Sequence, residues 1–83
     1  MYLEILTPEK KIFEGNVNIA TFPGADGSFQ VMDNHAPLIS LLKEGLVEYK
    51  SKEATNALQI TGGVVEVLKN KVVLLADGIV NKA

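Results

Sequence analysis

The side chains able to do chemistry gather in one stretch: Asp26, Ser28, Asp33, His35 and Ser40, with His35 the sole histidine of the chain. On paper they supply a Ser–His–Asp relay, in which a serine attacks an acyl carbon while His35 takes its proton and an aspartate orients the ring. No Gly-x-Ser-x-Gly elbow accompanies them, and a lone histidine in a loop is more often a surface or interface group. The same acids and His35 could ligate a metal, yet the spacing of a calcium loop is missing and nothing else converges on them. Gly24-x-x-Gly27 and Gly62-Gly63 suggest phosphate cradles, but neither a Gly-Lys-Ser/Thr nor a third glycine at a helix start is present. These glycines read as suppliers of positive φ in turns or bulges. The expectation is therefore no catalytic residue, no metal and no cofactor.

Charge narrows the partners. Eight Lys and ten acids leave a net charge of −2, and there is no Arg. Arg is the usual bidentate reader of phosphates and base edges, so nucleic acid is a poor partner, and no arginine finger is available. The lysines are too evenly spread to form a basic stripe. With no Cys, stability must come from a core, and 47% apolar residues suffice for one. The longest apolar run, Val72 to Ala76, falls far short of the ~20 residues of a membrane-spanning helix. The opening Met1-Tyr2-Leu3-Glu4 lacks a basic leader, so a soluble, intracellular chain is expected.

The elements that must position these residues read as short strands. An 83-residue chain is expected to form one domain over 1–83. Tyr2 to Thr7 alternates, with Leu3 and Ile5 on one face and Glu4 on the other, before a turn at Pro8-Glu9-Lys10. Lys11 to Glu14 follows, then Val17 to Phe22, whose alternation predicts Val17, Ile19 and Thr21 on one face. Pro23 to Gly27 is the strongest turn signal, leading into Ser28 to Val31. Leu46 to Lys50, Asn56 to Ile60, Val64 to Leu68 and Lys71 to Ala76 complete the series. Such strands at roughly 8–12-residue intervals predict an all-β sandwich or barrel. Ala36 to Gly45 stays open: Leu38, Leu41 and Leu42 fit a helical face, with Gly45 where a C-cap would sit, and a strand fits as well. Phe29 and Val31 are expected to alternate toward the core, for at least one of them, while Met32 sits at a strand end where an apolar side chain could join an interaction patch.

The run from Pro23 to Ile39, with Asn34-His35-Ala36-Pro37-Leu38 at its heart, resembles the signature of the epsilon subunit of F-type ATP synthases. Leu3 to Pro8 with Phe13-Glu14-Gly15 resembles that family's opening hairpin, Gly62 to Val67 its glycine-pair strand, and Val72 to Asp77 its closing strand. The resemblance implies a flattened β-sandwich of about ten short strands, with Ala36 to Gly45 mostly strand. It implies a non-catalytic rotor subunit that couples the gamma subunit to the membrane c-ring during ATP synthesis. The implied gamma-facing residues are Thr7, His35, Ala36, Pro37, Leu38 and Ser40, with Leu38 and neighbouring aliphatics supporting the contact. The implied c-ring contacts are Ser28, Phe29, Val31 and Met32. Many members carry an acid at the position of Ser28 and a glycine at that of Gln30, so the chain departs from the pattern there.

Most bacterial members continue into a two-helix C-terminal domain, whereas this chain ends at Asn81-Lys82-Ala83. The expectation is a short or shortened member with no inhibitory helices and no ATP site, held at the cytoplasmic face of the bacterial membrane only through its complex. A rotor connector should be rigid and grip both partners. Two standard contacts would cover roughly a third of the ~4,900 Å² of surface that scaling assigns to this mass. The rival reading is a free-standing β-sandwich that binds a small ligand or a protein. A small-ligand site calls for two or three exposed aromatics, and three Phe and two Tyr leave few to spare.

Overall fold

Leu3 and Ile5 alternate inward against Tyr2, Glu4 and Leu6 along β1 (Tyr2–Leu6), the period of two that a half-buried strand requires. In the computed structural model, which describes residues 1–80, nine strands and no helix occur among the described residues. The others are β2 (Lys11–Asn16), β3 (Ile19–Gly24), β4 (Gly27–Met32), β5 (Leu38–Leu42), β6 (Gly45–Lys50), β7 (Thr55–Ile60), β8 (Gly63–Leu68) and β9 (Lys71–Ala76). An isolated bridge joins Ile60 to Ile79. The fold is the all-β sandwich expected.

The strands form a continuous path, β2-β1-β9-β8-β5-β3-β6-β7, with β4 beside β3. Its step from β5 to β3 is a single pair, Gly24 with Leu42, and the path turns a corner there. Five strands, β2-β1-β9-β8-β5, make one layer, and four, β4-β3-β6-β7, make the other. The pairing of β1 with β9 is parallel; the rest are antiparallel. At the opposite corner Thr61 N–H donates to Gly78 O at 3.1 Å and Val80 N–H to Gln59 O at 2.9 Å.

The core lies between the layers. Leu3, Ile5, Val65, Val67, Val72 and Leu74 come from the first, and Ala20, Phe22, Val31, Val47, Tyr49 and Ile60 from the second. Phe13 of β2 tilts against Tyr49 of β6 at 4.6 Å between ring centroids, an aromatic contact across the layers. The accessible surface of 5137 Å² agrees with the size scaling.

Two strands depart from local expectation. Val17 is buried, but Ile19 and Thr21 lie on the face opposite to the core, which takes Ala20 and Phe22 instead. The cause is a bend at Val17–Asn18, where Val17 N–H donates to Met1 O and Asn18 N–H to Lys50 O, resetting the phase before β3 begins. Ala36 to Gly45 resolves as β5, because its ladder to β8 supplies pairing that two helical turns could not match. Gly45 is no helix cap. It starts β6, and a Cβ there would stand 2.7 Å from Pro23.

Candidate functional site

An antiparallel strand with apolar residues at adjacent positions has two apolar faces, and only one can enter the core. Val64-Val65 in β8, Leu74-Leu75 in β9 and Leu41-Leu42 in β5 are such pairs. The registers place their outward members in line: Leu41 opposite Val64, Val64 opposite Leu75, and Leu75 opposite Leu6. An apolar row therefore crosses four strands on the outer face of the five-stranded layer. Leu41 is 68% exposed and Leu75 48%, and Ile39, in the next row on β5, is 71% exposed. The whole row lines a depression of about 490 Å³, together with Thr7 and Pro8 among others.

Beside the apolar row the same face turns ionic. Ile39, Glu66, Val73, Glu4 and Glu14 follow one another across the strands. Lys11 Nζ reaches Glu14 at 2.9 Å and Glu4 at 3.3 Å, and Lys71 Nζ reaches Glu4 at 3.9 Å. The Tyr2 hydroxyl donates to Glu14. That hydrogen bond, then the one from Lys11, holds the Glu14 carboxyl below the usual carboxylate range. The hydrogen bond to Glu14 pushes the Tyr2 phenol up, and hydrogen bonds to Glu14 and then Glu4 push the Lys11 ammonium up. The face thus offers apolar area for burial and, next to it, a charge cluster in which Lys11 and Lys71 pair with Glu4 and Glu14.

The residues singled out from sequence fall around this face unevenly. Thr7 borders the depression, but its Oγ1 is engaged by its own turn, accepting from Lys10 N–H at 3.2 Å and Glu9 N–H at 3.3 Å. His35, Ala36 and Pro37 are exposed in the loop between β4 and β5. The His35 ring donates from Nδ1 to Ala36 O at 2.7 Å. Neither Ser28, Ser40 nor an aspartate hydrogen-bonds to that ring among the described residues. Asp33 instead pairs with the amino group of Met1. Leu38 and Ser40 share the inward parity of β5: Leu38 packs on the core, and Ser40 sits opposite buried Val65. Neither shares the outward face of Ile39 and Leu41.

On β4, Ser28 and Met32 are exposed, while Phe29 is half-buried against Phe22 at 5.7 Å between centroids. Val31 is a correction. It is 0% exposed and has no surface to offer a c-ring, because alternation along β4 aims it into the core. Ser28 and Met32 lie at opposite ends of the strand, roughly 13 Å apart at the usual rise per residue. Among the described residues no three His, Cys, Asp or Glu side chains group as a metal site. No helix of the described residues is long and apolar enough to cross a membrane.

Val64, Leu75 and Leu6 are the surface residues that sequence reasoning passed over, and Ile39 and Leu41 entered it as aliphatics near Leu38. Their signal was present in the adjacent apolar pairs, which one-faced burial cannot satisfy.

Residues 1–82 match the profile of a family described as ATP synthase, delta/epsilon chain, β-sandwich domain. The chain is 42% identical over 81 residues to the ATP synthase epsilon chain of Campylobacter concisus, covering 96% of this chain and 63% of that one. It is 44% identical over 78 residues to the ATP synthase epsilon chain of Chlorobium limicola, covering 93% of this chain and 89% of that one. The chain thus spans less than two-thirds of the Campylobacter relative but most of the Chlorobium one. Among solved structures, a chain of the Tetrahymena thermophila mitochondrial ATP synthase central stalk and c-ring aligns with a TM-score of 0.84 at 16% identity, over 96% of this chain and 65% of that one. A chain of the Euglena gracilis mitochondrial ATP synthase OSCP/F1/c-ring structure aligns with a TM-score of 0.87 at 20% identity, over 94% of this chain and 51% of that one. At those identities the likeness is one of fold.

Proposed function

The chain belongs to the delta/epsilon-chain β-sandwich family of ATP synthase, and from that premise we propose that it is a non-catalytic rotor part joining the gamma subunit to the c-ring. The observation that carries this reading is the apolar row from Leu41 to Leu6, with Ile39 beside it. A monomer gains nothing by leaving such side chains in water, whereas a permanent partner covers them. Gamma is assigned to this outer face, with Thr7 at its rim and His35, Ala36 and Pro37 presented by the adjoining loop. Leu38 and Ser40 support the strand from its inner side. Ser28 and Met32 on β4 are assigned to the c-ring, with Phe29 backing them.

A rotor connector transmits torque, and two layers hydrogen-bonded along one path resist shear better than a loop-rich fold. The reading places the domain, residues 1–83, at the cytoplasmic face of a bacterial membrane through its complex, and gives it no cofactor, nucleotide or reaction of its own. A small-ligand site would need several convergent polar groups. The depression lined by the apolar row has Thr7 and Asp77, and the Thr7 hydroxyl is already engaged.

The test is co-elution of this chain with the gamma subunit of the same organism on gel filtration. A one-to-one complex is expected, and a Leu41→Glu/Leu75→Glu variant with native thermal stability should elute alone. Failure of the unaltered chain to join a folded gamma subunit would remove the reading.

A further inference from the structure

The loop that presents His35 runs between β4 and β5 without a ladder of its own. His35 N–H donates to Met32 O at 3.2 Å, which closes a turn. Asn34 holds a left-handed backbone, φ 63°. Its N–H donates at 2.8 Å to Oδ1 of Asn70, which lies in the turn between β8 and β9.

Asn70 is itself fixed. Lys69 and Asn70 have φ of 51° and 63°, the pattern of a two-residue hairpin turn with both central residues left-handed. The Asn70 carbonyl accepts the N–H of Tyr2 at 3.1 Å, which ties this turn to β1. Glycine would serve the turn's φ at least as well, so the turn alone does not call for an asparagine side chain. What that side chain adds is an acceptor aimed at the loop.

We infer that Asn70 is a positioning residue: its Oδ1 holds the Asn34 amide and so sets how His35, Ala36 and Pro37 are presented to a partner. Its backbone belongs to the five-stranded layer, its side chain to the loop, and it makes the two move as one body. The loop is then ordered before a partner arrives, and the ordering cost is removed from association. The partner arm of this inference rests on the gamma assignment above.

Two variants separate turn from tether. Asn70→Gly keeps the positive φ and removes the acceptor; Asn70→Asp keeps both. In the whole chain, amide hydrogen exchange at Asn34 should speed up about fivefold in Asn70→Gly, the factor expected for one lost hydrogen bond, and stay unchanged in Asn70→Asp. Affinity for the gamma subunit of the same organism should fall about fivefold in Asn70→Gly and return in Asn70→Asp. Unchanged exchange at Asn34 in Asn70→Gly overturns the tether, whatever gamma does. Faster exchange with undiminished gamma affinity overturns the positioning role. If the unaltered chain does not bind gamma, the rotor reading falls, while the exchange comparison still decides the tether.

Discussion

Leu74 and Leu75 are neighbours in β9 with opposite surroundings, and truncating each to alanine should separate stability from association. Leu74 is 0% exposed in the core. Its loss to alanine should cost ~3 kcal/mol, within the range for buried leucines. For a domain of this size that lowers Tm by about 12–24 °C. Leu75 retains 48% of its surface in water. Full burial of a leucine is worth ~2.5 kcal/mol, so about half has already been realised against the neighbouring strands and about half awaits a partner. Leu75→Ala should therefore lower stability by ~1 kcal/mol or less. It should weaken gamma binding by ~1 kcal/mol, about fivefold in Kd. Scanning calorimetry gives the first quantity. Titration calorimetry with gamma gives the second, and a less negative heat capacity of binding would mark the apolar area lost. Leu75→Ala with undiminished gamma affinity would refute the assignment of this face. A Leu74→Ala protein as stable as the unaltered chain would refute the division into inner and outer faces on which the assignment depends.

Gly63→Ala should destabilise the fold by ~3 kcal/mol or more in urea unfolding, since the added Cβ would meet Leu75 O at 2.4 Å on a backbone held at φ 158°. Glu14 contributes to the pH dependence: its folded pKa lies below the ordinary 4.5, so its stabilisation is present above that value and lost as pH falls through the depressed one. A Glu14→Gln protein should accordingly show a shallower loss of Tm on acidification below pH 4.5, with little change in slope near neutrality.

Much of the architecture was legible because the period of two is a local signal. Leu3 and Ile5 declared one face of β1, and Pro23 to Gly27 declared a turn, which the structure closes as the β3–β4 hairpin. What failed was phase across an irregularity. The bend at Val17–Asn18 is set by bonds to Met1 and Lys50, residues far away in sequence, so counting inward from Val17 assigned β3 to the wrong face. Ala36 to Gly45 stayed ambiguous for a similar reason, since its leucines fit either period and only β8 decides between them. The candidate site was legible in part. The exposed loop around His35 stood out by composition, but Leu41 entered as one of three leucines fitting a helical face and Leu75 only as part of an apolar run. A sequence shows that two adjacent residues are apolar without showing which has another layer above it. Asn70 carried no signal at all, because its acceptor matters only once Asn34 is brought beside it.

The parallel pairing of β1 with β9 bears on the order in which the molecule can assemble. Leu3 aligns with Val72 and Ile5 with Leu74, so β9, made late, is the strand that separates the β1–β2 hairpin from β8. Until Ala76 has been synthesised, β1 has only β2 beside it, and a lone hairpin is marginal in water. The first strands must therefore wait in the nascent chain with an unpaired edge and uncovered leucines and isoleucines. They become a sheet in one late, long-range step, slow for its size by the ordinary cost of closing large loops. A cell making this protein has a brief interval in which the hairpin is complete, sticky and unsupported, and in which another chain's edge could take the place of β9.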